Sequence, residues 1–332
     1  MVSNSRPKGI GMFVHIAGTG SYLPEKVLTN DDLAKTLDTS DEWIFSHTGI
    51  HSRHIAADGE ETSDMAVKAA GRALAEAGVK PEELGGVIVA TSSGDYRSFP
   101  ATASLVQARI GATNAGAFDL QAACSGFVYA TRVAQGMMQL DPRPVLVIGA
   151  EAMSRLLDWT DRNICILFGD GAGAVVLKAS DEKDGILDSI LGSDGGSVPP
   201  VISCTGGTKV CPEDPVGGKM HMNGRAVFNF AVKIFDDTIR RMLERHGLTF
   251  DDLSLIVAHQ ANARIIEAAA RRMKQPLEKF FLNMNTVGNT SAASVPIALD
   301  EAVKAGRIRQ GGLVASVAFG AGLSYGGLLI RW

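Results

Sequence analysis

A thiol, an imidazole and a carboxamide each stand where a predicted strand gives way to other structure. Cys124 lies in Asp119-Leu120-Gln121-Ala122-Ala123-Cys124-Ser125-Gly126-Phe127, where an extended segment meets small residues and a helical pattern begins. A helix start presents free N–H groups and about half a unit of positive charge. Such a place favours thiolate over thiol and can lower a cysteine pKa from ~8.5. The same amides can hold an oxyanion. The alternative is an inert cysteine filling a small gap, as Cys165 does within the apolar run Ile164-Cys165-Ile166-Leu167. His259 ends the strand Leu255-Ile256-Val257-Ala258 and opens His-Gln-Ala-Asn. Ligands of open α/β sheets bind outside the carboxyl ends of strands, so this histidine is better placed for catalysis than one on a helix face. It could equally be bonded to a backbone carbonyl. Asn289, in Asn285-Thr286-Val287-Gly288-Asn289-Thr290-Ser291, either caps a helix or donates its side-chain N–H to a developing negative charge.

The elements that must position these residues alternate regularly. In the first half, strands are expected at Phe13–Gly18, Gly86–Ala90, Ala117–Gln121, Pro144–Gly149 and Gly173–Leu177, and helices at Asp64–Ala77, Ala101–Arg109 and Ser125–Met138. In the second half, helices are expected at Phe228–Leu243, Ala263–Met273 and Ser291–Ala305, with strands at Leu255–Ala258, Phe280–Asn283, Leu313–Val317 and Leu328–Ile330. Continuous apolar strands alternating with helices predict sheets covered on both faces. The halves also overlay: AVKAAGRALAEAGVKPEELGGVIVAT at 66–91 sits on AVKIFDDTIRRMLERHGLTFDDLSLIVAH at 231–259, and FGDGAGAVVL at 168–177 on FGAGLSYGGLLI at 319–330. Two copies of one αβ unit would bring the junctions at Cys124, His259 and Asn289 to a common centre.

Composition excludes several classes. Gly and Pro make up about 15% of 332 residues, short of the roughly 25–30% of low-complexity chains. The formal net charge of −4, with no long basic run, argues against a nucleic-acid partner. Four cysteines (Cys124, Cys165, Cys204, Cys211) without zinc spacing predict neither a disulfide framework nor a metal site. Met1 to Val14 has no signal-peptide pattern, so a reduced, cytoplasmic protein is expected. The uncharged stretch Gly311–Ile330 has the length of a membrane span, but its glycines predict two buried strands joined by a tight turn. The glycine turns at 168–173 and 319–322 precede strands, whereas a dinucleotide fingerprint opens a helix, so they predict no NAD site. A cysteine protease also combines Cys, His and Asn, but papain-type local signatures are absent.

On the motifs TSDEW (39–43), AACSGF (122–127), FGDGAGA (168–174), HQAN (259–262), GNTSAAS (288–294) and FGAG (319–322), the chain resembles the thiolase-type condensing enzymes, and more closely the β-ketoacyl-acyl carrier protein synthase III family. The likeness runs from about Phe13 to Trp332. It implies a thiolase-like duplicated α/β fold in five layers, α-β-α-β-α, with residues 12–182 carrying the nucleophile and 183–332 carrying the histidine and asparagine. It implies a catalytic triad of Cys124, His259 and Asn289, with the amides of Cys124 and Ala321 as oxyanion donors. Trp43 and Arg162 match residues that flank the CoA adenine, Gln260-Ala261-Asn262-Ala263-Arg264 the carrier-protein segment, and Phe99 and Phe319 acyl-pocket residues, Phe99 reaching across a homodimer. Three positions depart from the family pattern: His47 for an arginine near the CoA phosphate, Asn163 for a glycine, and Asn229 for a carrier-binding lysine. The implied reaction is condensation of a short acyl-CoA with malonyl-acyl carrier protein and loss of CO2, initiating fatty acid synthesis. CoA thioester is a substrate, no cofactor is needed, and neither nucleic acid nor membrane is a partner. The alternatives are a relative using longer or unusual acyl groups in secondary metabolism and a non-enzymatic subunit of a condensing complex. A biosynthetic thiolase would need a second cysteine near the C-terminus, and a 3-hydroxy-3-methylglutaryl-CoA synthase a glutamate base.

Overall fold

Short apolar runs bounded by turns pair here as buried strands, and longer stretches with an apolar stripe wrap as helices. The computed structural model describes residues 12–180, 184–196, 201–204, 207–208 and 218–332. Its strands are β1 (Phe13–Tyr22), β2 (Lys26–Thr29), β3 (Ser52–Ile55), β4 (Gly86–Ala90), β5 (Gly116–Leu120), β6 (Val145–Ala152), β7 (Asp170–Ser180), β8 (Gly185–Ser193), β9 (Ile202–Cys204), β10 (Met220–Met222), β11 (Leu255–Ala258), β12 (Leu313–Gly320) and β13 (Ser324–Arg331). Its α-helices are α1 (Asn30–Ala34), α2 (Asp41–Thr48), α3 (Thr62–Ala77), α4 (Thr102–Ile110), α5 (Gly126–Met138), α6 (Gly224–Arg245), α7 (Ala263–Met273), α8 (Met284–Val287) and α9 (Ser294–Lys304). Cys211 and most of the Gly/Pro-rich segment at 194–220 lie outside the described residues.

Two sheets organise the chain. The first runs β1-β7-β6-β4-β5, with β4 parallel to β5 and β6, and β7 antiparallel to β6 and β1. The second runs β8-β13-β12-β11, with β11 parallel to β12 and the other pairs antiparallel. Place for place and direction for direction, β8, β13, β12 and β11 repeat β1, β7, β6 and β4. The counterpart of β5 is reduced to a single parallel bridge between Phe280 and Ile256. The strand expected at Phe280–Asn283 therefore does not form. The Gln260 side chain takes the Asn283 amide at 3.1 Å, and the chain turns at once into α8, so no second ladder step is available.

Helices α5 and α9 fill the space between the sheets, α5 against β4, β6 and β13, and α9 against β1, β7 and β11. Ile88, Val147 and Val175 of the first sheet, Val257, Val314 and Leu328 of the second, and Phe127, Val295 and Leu299 of the two helices form one apolar core. Helices α3 and α4 cover the outer face of the first sheet, and α6 with α7 that of the second. This gives the expected α-β-α-β-α layering. The expected helix at Ser291–Ala305 starts later, at Ser294, because Ser291 takes the left-handed conformation (φ 49°) and opens a separate 3-10 turn over Ser291–Ala293. The uncharged 311–330 stretch is the hairpin β12–β13, with Phe319 opposite Tyr325. Among the described residues no helix is long and apolar enough to cross a membrane.

Candidate active site

Cys124 occupies the 3-10 turn Ala123–Ser125 that leads directly into α5. Small residues there let the turn lie flat against the end of β12. A Cβ on Gly320 would stand 2.7 Å from the Cys124 amide nitrogen, so the Gly320 backbone abuts the Cys124 N–H. Ser324 ties the two segments together: its Oγ lies 3.0 Å from the Ala122 carbonyl, 2.8 Å from the Ala321 carbonyl and 2.7 Å from Ser125 Oγ. The Cys124 turn packs on the Ser291–Ala293 turn before α9. The two turns are matched in strain, Ala123 at φ 46° and Ser291 at φ 49°. Non-glycine residues held this way cost about 1–3 kcal/mol and gather at functional sites.

His259 follows β11, its amide donating to the Val317 carbonyl at 2.8 Å. Its side chain is buried, stands edge-on to the Phe319 ring with centroids 5.3 Å apart, and leaves Nδ1 without a partner. Burial pushes its pKa down to about 3, so the ring is neutral at physiological pH and offers one N–H. Asn289 is held on both sides of its backbone, its amide donating to the Leu167 carbonyl and its carbonyl accepting from Gly169. Its Oδ1 accepts from the Ser291 amide at 2.9 Å. With the oxygen committed, the carboxamide has its N–H2 group left to offer. Capping and donation, alternatives in the sequence, are thus compatible: the oxygen orders the turn and the nitrogen is free to act. The three residues are linked contact by contact. His259 touches Phe319, the neighbouring Gly320 lies on Cys124, and Asn289 orders the Ser291 turn that packs against Cys124.

The electrostatics correct one expectation. Helix-start position alone predicted a thiolate, but burial pushes the Cys124 thiol up to about 12, against the pull of a Ser291 hydrogen bond and with the Glu151 charge adding to the rise. Desolvation of a charge outweighs the half-charge of a helix end. The residue retains partial solvent contact, so the resting group is a reachable thiol. Glu151, fully buried at the end of β6, accepts from Ser92 N at 3.0 Å, Thr91 Oγ1 at 3.2 Å, Ser93 Oγ at 2.5 Å and Ala292 N at 3.4 Å. Burial raises its pKa, and these bonds together with one from Ser291 restrain the rise.

Toward the surface, the Arg162 guanidinium lies over the Trp43 ring at 5.2 Å, bonded also to the Asp38 carbonyl. An adenine slotted between them needs roughly 7 Å, twice a ~3.5 Å stacking contact, so Arg162 would have to swing outward. His47 stacks on the same Trp43 ring, with centroids 4.3 Å apart. The segment Gln260–Arg264 divides. Gln260 is buried and bonds inward to the Ala258 and Phe281 carbonyls, so it is not a surface contact, contrary to the expectation for a carrier-binding residue. Asn262 caps α7, and exposed Arg264 donates to the Ser46 carbonyl. Phe319 is buried beside His259, whereas Phe99 is 85% exposed and cannot line this chain's own cavity. Ser291, Ser324 and Glu151 were not singled out from sequence. Glu151 had a signal: one acid closing the otherwise apolar run VLVIGAEA at a strand's carboxyl end.

Residues 118–195 match the family model described as 3-Oxoacyl-[acyl-carrier-protein (ACP)] synthase III, and residues 243–332 match its C-terminal model. The chain is 49% identical over 322 residues to a β-ketoacyl-[acyl-carrier-protein] synthase III of Caldanaerobacter subterraneus subsp. tengcongensis, covering 96% of this chain and 97% of that protein. Among solved structures, the 3-oxoacyl-[acyl-carrier-protein] synthase III of Aquifex aeolicus VF5 superposes with a TM-score of 0.90 at 45% identity, covering 96% of this chain and all of that one. The priming β-ketosynthase of the R1128 polyketide pathway gives a TM-score of 0.90 at 38% identity, covering 96% of each chain.

Proposed function

The chain belongs to the 3-oxoacyl-[acyl-carrier-protein] synthase III family and is an acyl-transferring condensing enzyme of that type, and from that premise we propose how its residues divide the work. Cys124, once ionised, attacks the thioester carbonyl of a short acyl-CoA. The tetrahedral oxyanion is received by the N–H groups of Cys124 and Ala321, and its collapse expels the CoA thiolate and leaves an acyl-cysteine. A thiolate suits both parts, being a strong nucleophile and later a good leaving group. Malonyl-acyl carrier protein then binds and loses CO2. The electron pair of the broken C–C bond passes to the thioester oxygen, which accepts hydrogen bonds from His259 and the Asn289 carboxamide. The resulting enolate carbon attacks the acyl-cysteine and gives a β-ketoacyl-acyl carrier protein.

The observation that carries this reading is the pairing of two neutral, buried donors: an imidazole held unprotonated by burial and a carboxamide whose oxygen is already bonded. Such donors stabilise an enolate without first surrendering a charge, each at about 3–4 kcal/mol. The test separates the half-reactions. Intact mass after mixing with acetyl-CoA should show an acetyl adduct that Cys124→Ser abolishes. His259→Ala and Asn289→Ala should slow malonyl decarboxylation about 100- to 1,000-fold while acylating far closer to the normal rate. Equal losses in both steps would refute the roles.

The partners follow from surfaces. Exposed Arg264 at the start of α7 supports docking of an acidic carrier protein by Ala261–Arg264, a local basic group on a chain of net charge −4. Strand β5 has a partner on one side only, its own Phe118 is exposed, and so is Phe99, three residues before α4, whose Thr102 amide donates to Asp119 of β5. An open apolar edge supports a homodimer joined there, Phe99 entering the partner's acyl pocket. Trp43 and Arg162 are taken to grip CoA, with no resident cofactor, in a cytoplasmic enzyme built of halves 12–182 and 183–332. The likeness to a polyketide-priming ketosynthase favours, as a second reading, a longer or unusual primer. A series of acyl-CoAs of increasing length, read as the acyl adduct that accumulates, decides between them.

A further inference from the structure

If Cys124 is the nucleophile, its proton must go somewhere before it can attack. Burial holds this thiol far above neutral, so it rests protonated at pH 7. His259 does not supply a base by hydrogen bonding through Nδ1, which has no partner. The polar groups on the other side of the sulfur are different. Ser291 sits in the turn that packs against both the Cys124 turn and the Glu151 strand β6, and its side chain favours the ionised form of both the thiol and the carboxylate. The carboxylate is fully buried, and the next residue along the turn, Ala292, donates to its second oxygen at 3.4 Å.

We propose that Glu151 accepts the Cys124 proton through the Ser291 hydroxyl. The S–H bond breaks and its proton goes to Ser291 Oγ. The original Ser291 O–H breaks in turn and its proton goes to a Glu151 oxygen. The bonding electron pair stays on sulfur. The negative charge thus moves from carboxylate to sulfur, and the pocket holds one buried charge before and after, instead of the two that ionisation against bulk water would create. Ser291 has one hydroxyl proton and two claimants, so it bonds the carboxylate while the thiol is protonated and the thiolate once the acid forms. Acylation is then balanced overall as thiol plus thioester giving thioester plus thiol, the proton leaving with CoA. The held geometry fits this role: Ser291 is fixed at positive φ, with its amide on Asn289 Oδ1. The groups facing the carboxylate are the hydroxyls of Thr91, Ser93 and Ser291 and the amides of Ser92 and Ala292. Glu151 is the charged group acting on the thiol among the described residues, and the nearby His259 is neutral.

The test is alkylation of Cys124 by iodoacetamide, followed by intact mass from about pH 5.5 to 9. It needs neither CoA nor carrier protein. With internal transfer, the thiolate fraction does not depend on bulk pH, so the wild-type rate should be nearly flat between about pH 6 and 8. Glu151→Gln should react at least tenfold more slowly at pH 6.5 and rise about tenfold per pH unit, as simple ionisation requires. Ser291→Ala, which keeps the carboxylate, should behave likewise and carries the test if Glu151→Gln does not fold. A carboxylate that merely repels the thiolate gives the opposite: a steep wild-type profile and a faster Glu151→Gln enzyme. Either of those results overturns the proposal. Absence of an acyl adduct together with a flat wild-type profile would instead sink the assigned acyl transfer and leave the proton route standing.

Discussion

Replacing Gly320 by alanine tests whether the end of β12 supplies half of the oxyanion site. The new Cβ would stand 2.7 Å from the Cys124 nitrogen and 3.2 Å from the Cβ atoms of Ala123 and Cys124. An ordinary contact is about 3.5 Å, so the two backbones must part by roughly 0.8 Å. Gly320 does not have a positive φ, so the backbone angle adds no strain of its own. A shift of that size takes an amide from good hydrogen-bonding distance to beyond the ~3.2 Å at which N–H···O bonds fade. Loss of one oxyanion donor costs about 100- to 1,000-fold in rate. The overpacking should cost about 1–3 kcal/mol of stability, a fall in Tm of several degrees at ~2–4 °C per kcal/mol, so the variant remains folded and assayable. Rapid-quench intact mass with acetyl-CoA would give the acylation rate constant. Gly136→Ala is the companion. It lies in α5, the helix that follows Cys124, where nothing stands within 4 Å of an added Cβ, so it should acylate normally and gain about 0.5–1 kcal/mol. A folded Gly320→Ala enzyme acylating within about threefold of wild type would refute the placing of the oxyanion at this contact.

Three further outcomes are expected. Arg53 is fully buried and donates to the Leu28 and Ile166 carbonyls next to the strand end that holds Asn289, so Arg53→Leu strands two acceptors and should lower urea stability by about 2–6 kcal/mol at roughly 1–3 kcal/mol each. His259 contributes to acid sensitivity. Its pKa falls from the usual 6.5 to about 3 on folding, so below 6.5 the unfolded chain binds a proton that the folded one refuses, and stability present above 6.5 is lost as pH drops. Between pH 7 and 5 that amounts to about 2 kcal/mol, which should disappear from the difference in unfolding free energy when wild type and His259→Gln are compared at the two pH values. Phe99→Asp, placing a charge on an 85% exposed aromatic just ahead of α4, should shift the protein to monomer in sedimentation velocity; an unchanged dimer would remove Phe99 from the interface.

Much of the architecture was legible because buried strands and helices announce themselves locally. GVIVA and LIVA could be read as strands without knowing their neighbours, and Gly78 and Gly111 end α3 and α4 in the left-handed conformation. Where a neighbour decided, the reading failed. Phe280–Asn283 has a strand's composition, yet a glutamine side chain from another segment takes the Asn283 amide that a ladder would need. The same glutamine, placed in a carrier-binding segment by the family resemblance, is buried and holds that bond.

The chain's own residues determined which groups could do chemistry and at which junctions they lie, because a helix start or a strand end is dictated within a few positions. Only the tertiary structure decided their protonation and their companions. A pKa depends on how completely other segments displace water, which lifts the Cys124 thiol and keeps His259 neutral. Glu151 and Ser291, 140 residues apart in number, meet only because the turn before α9 packs against the end of β6, a proximity that no local pattern encodes.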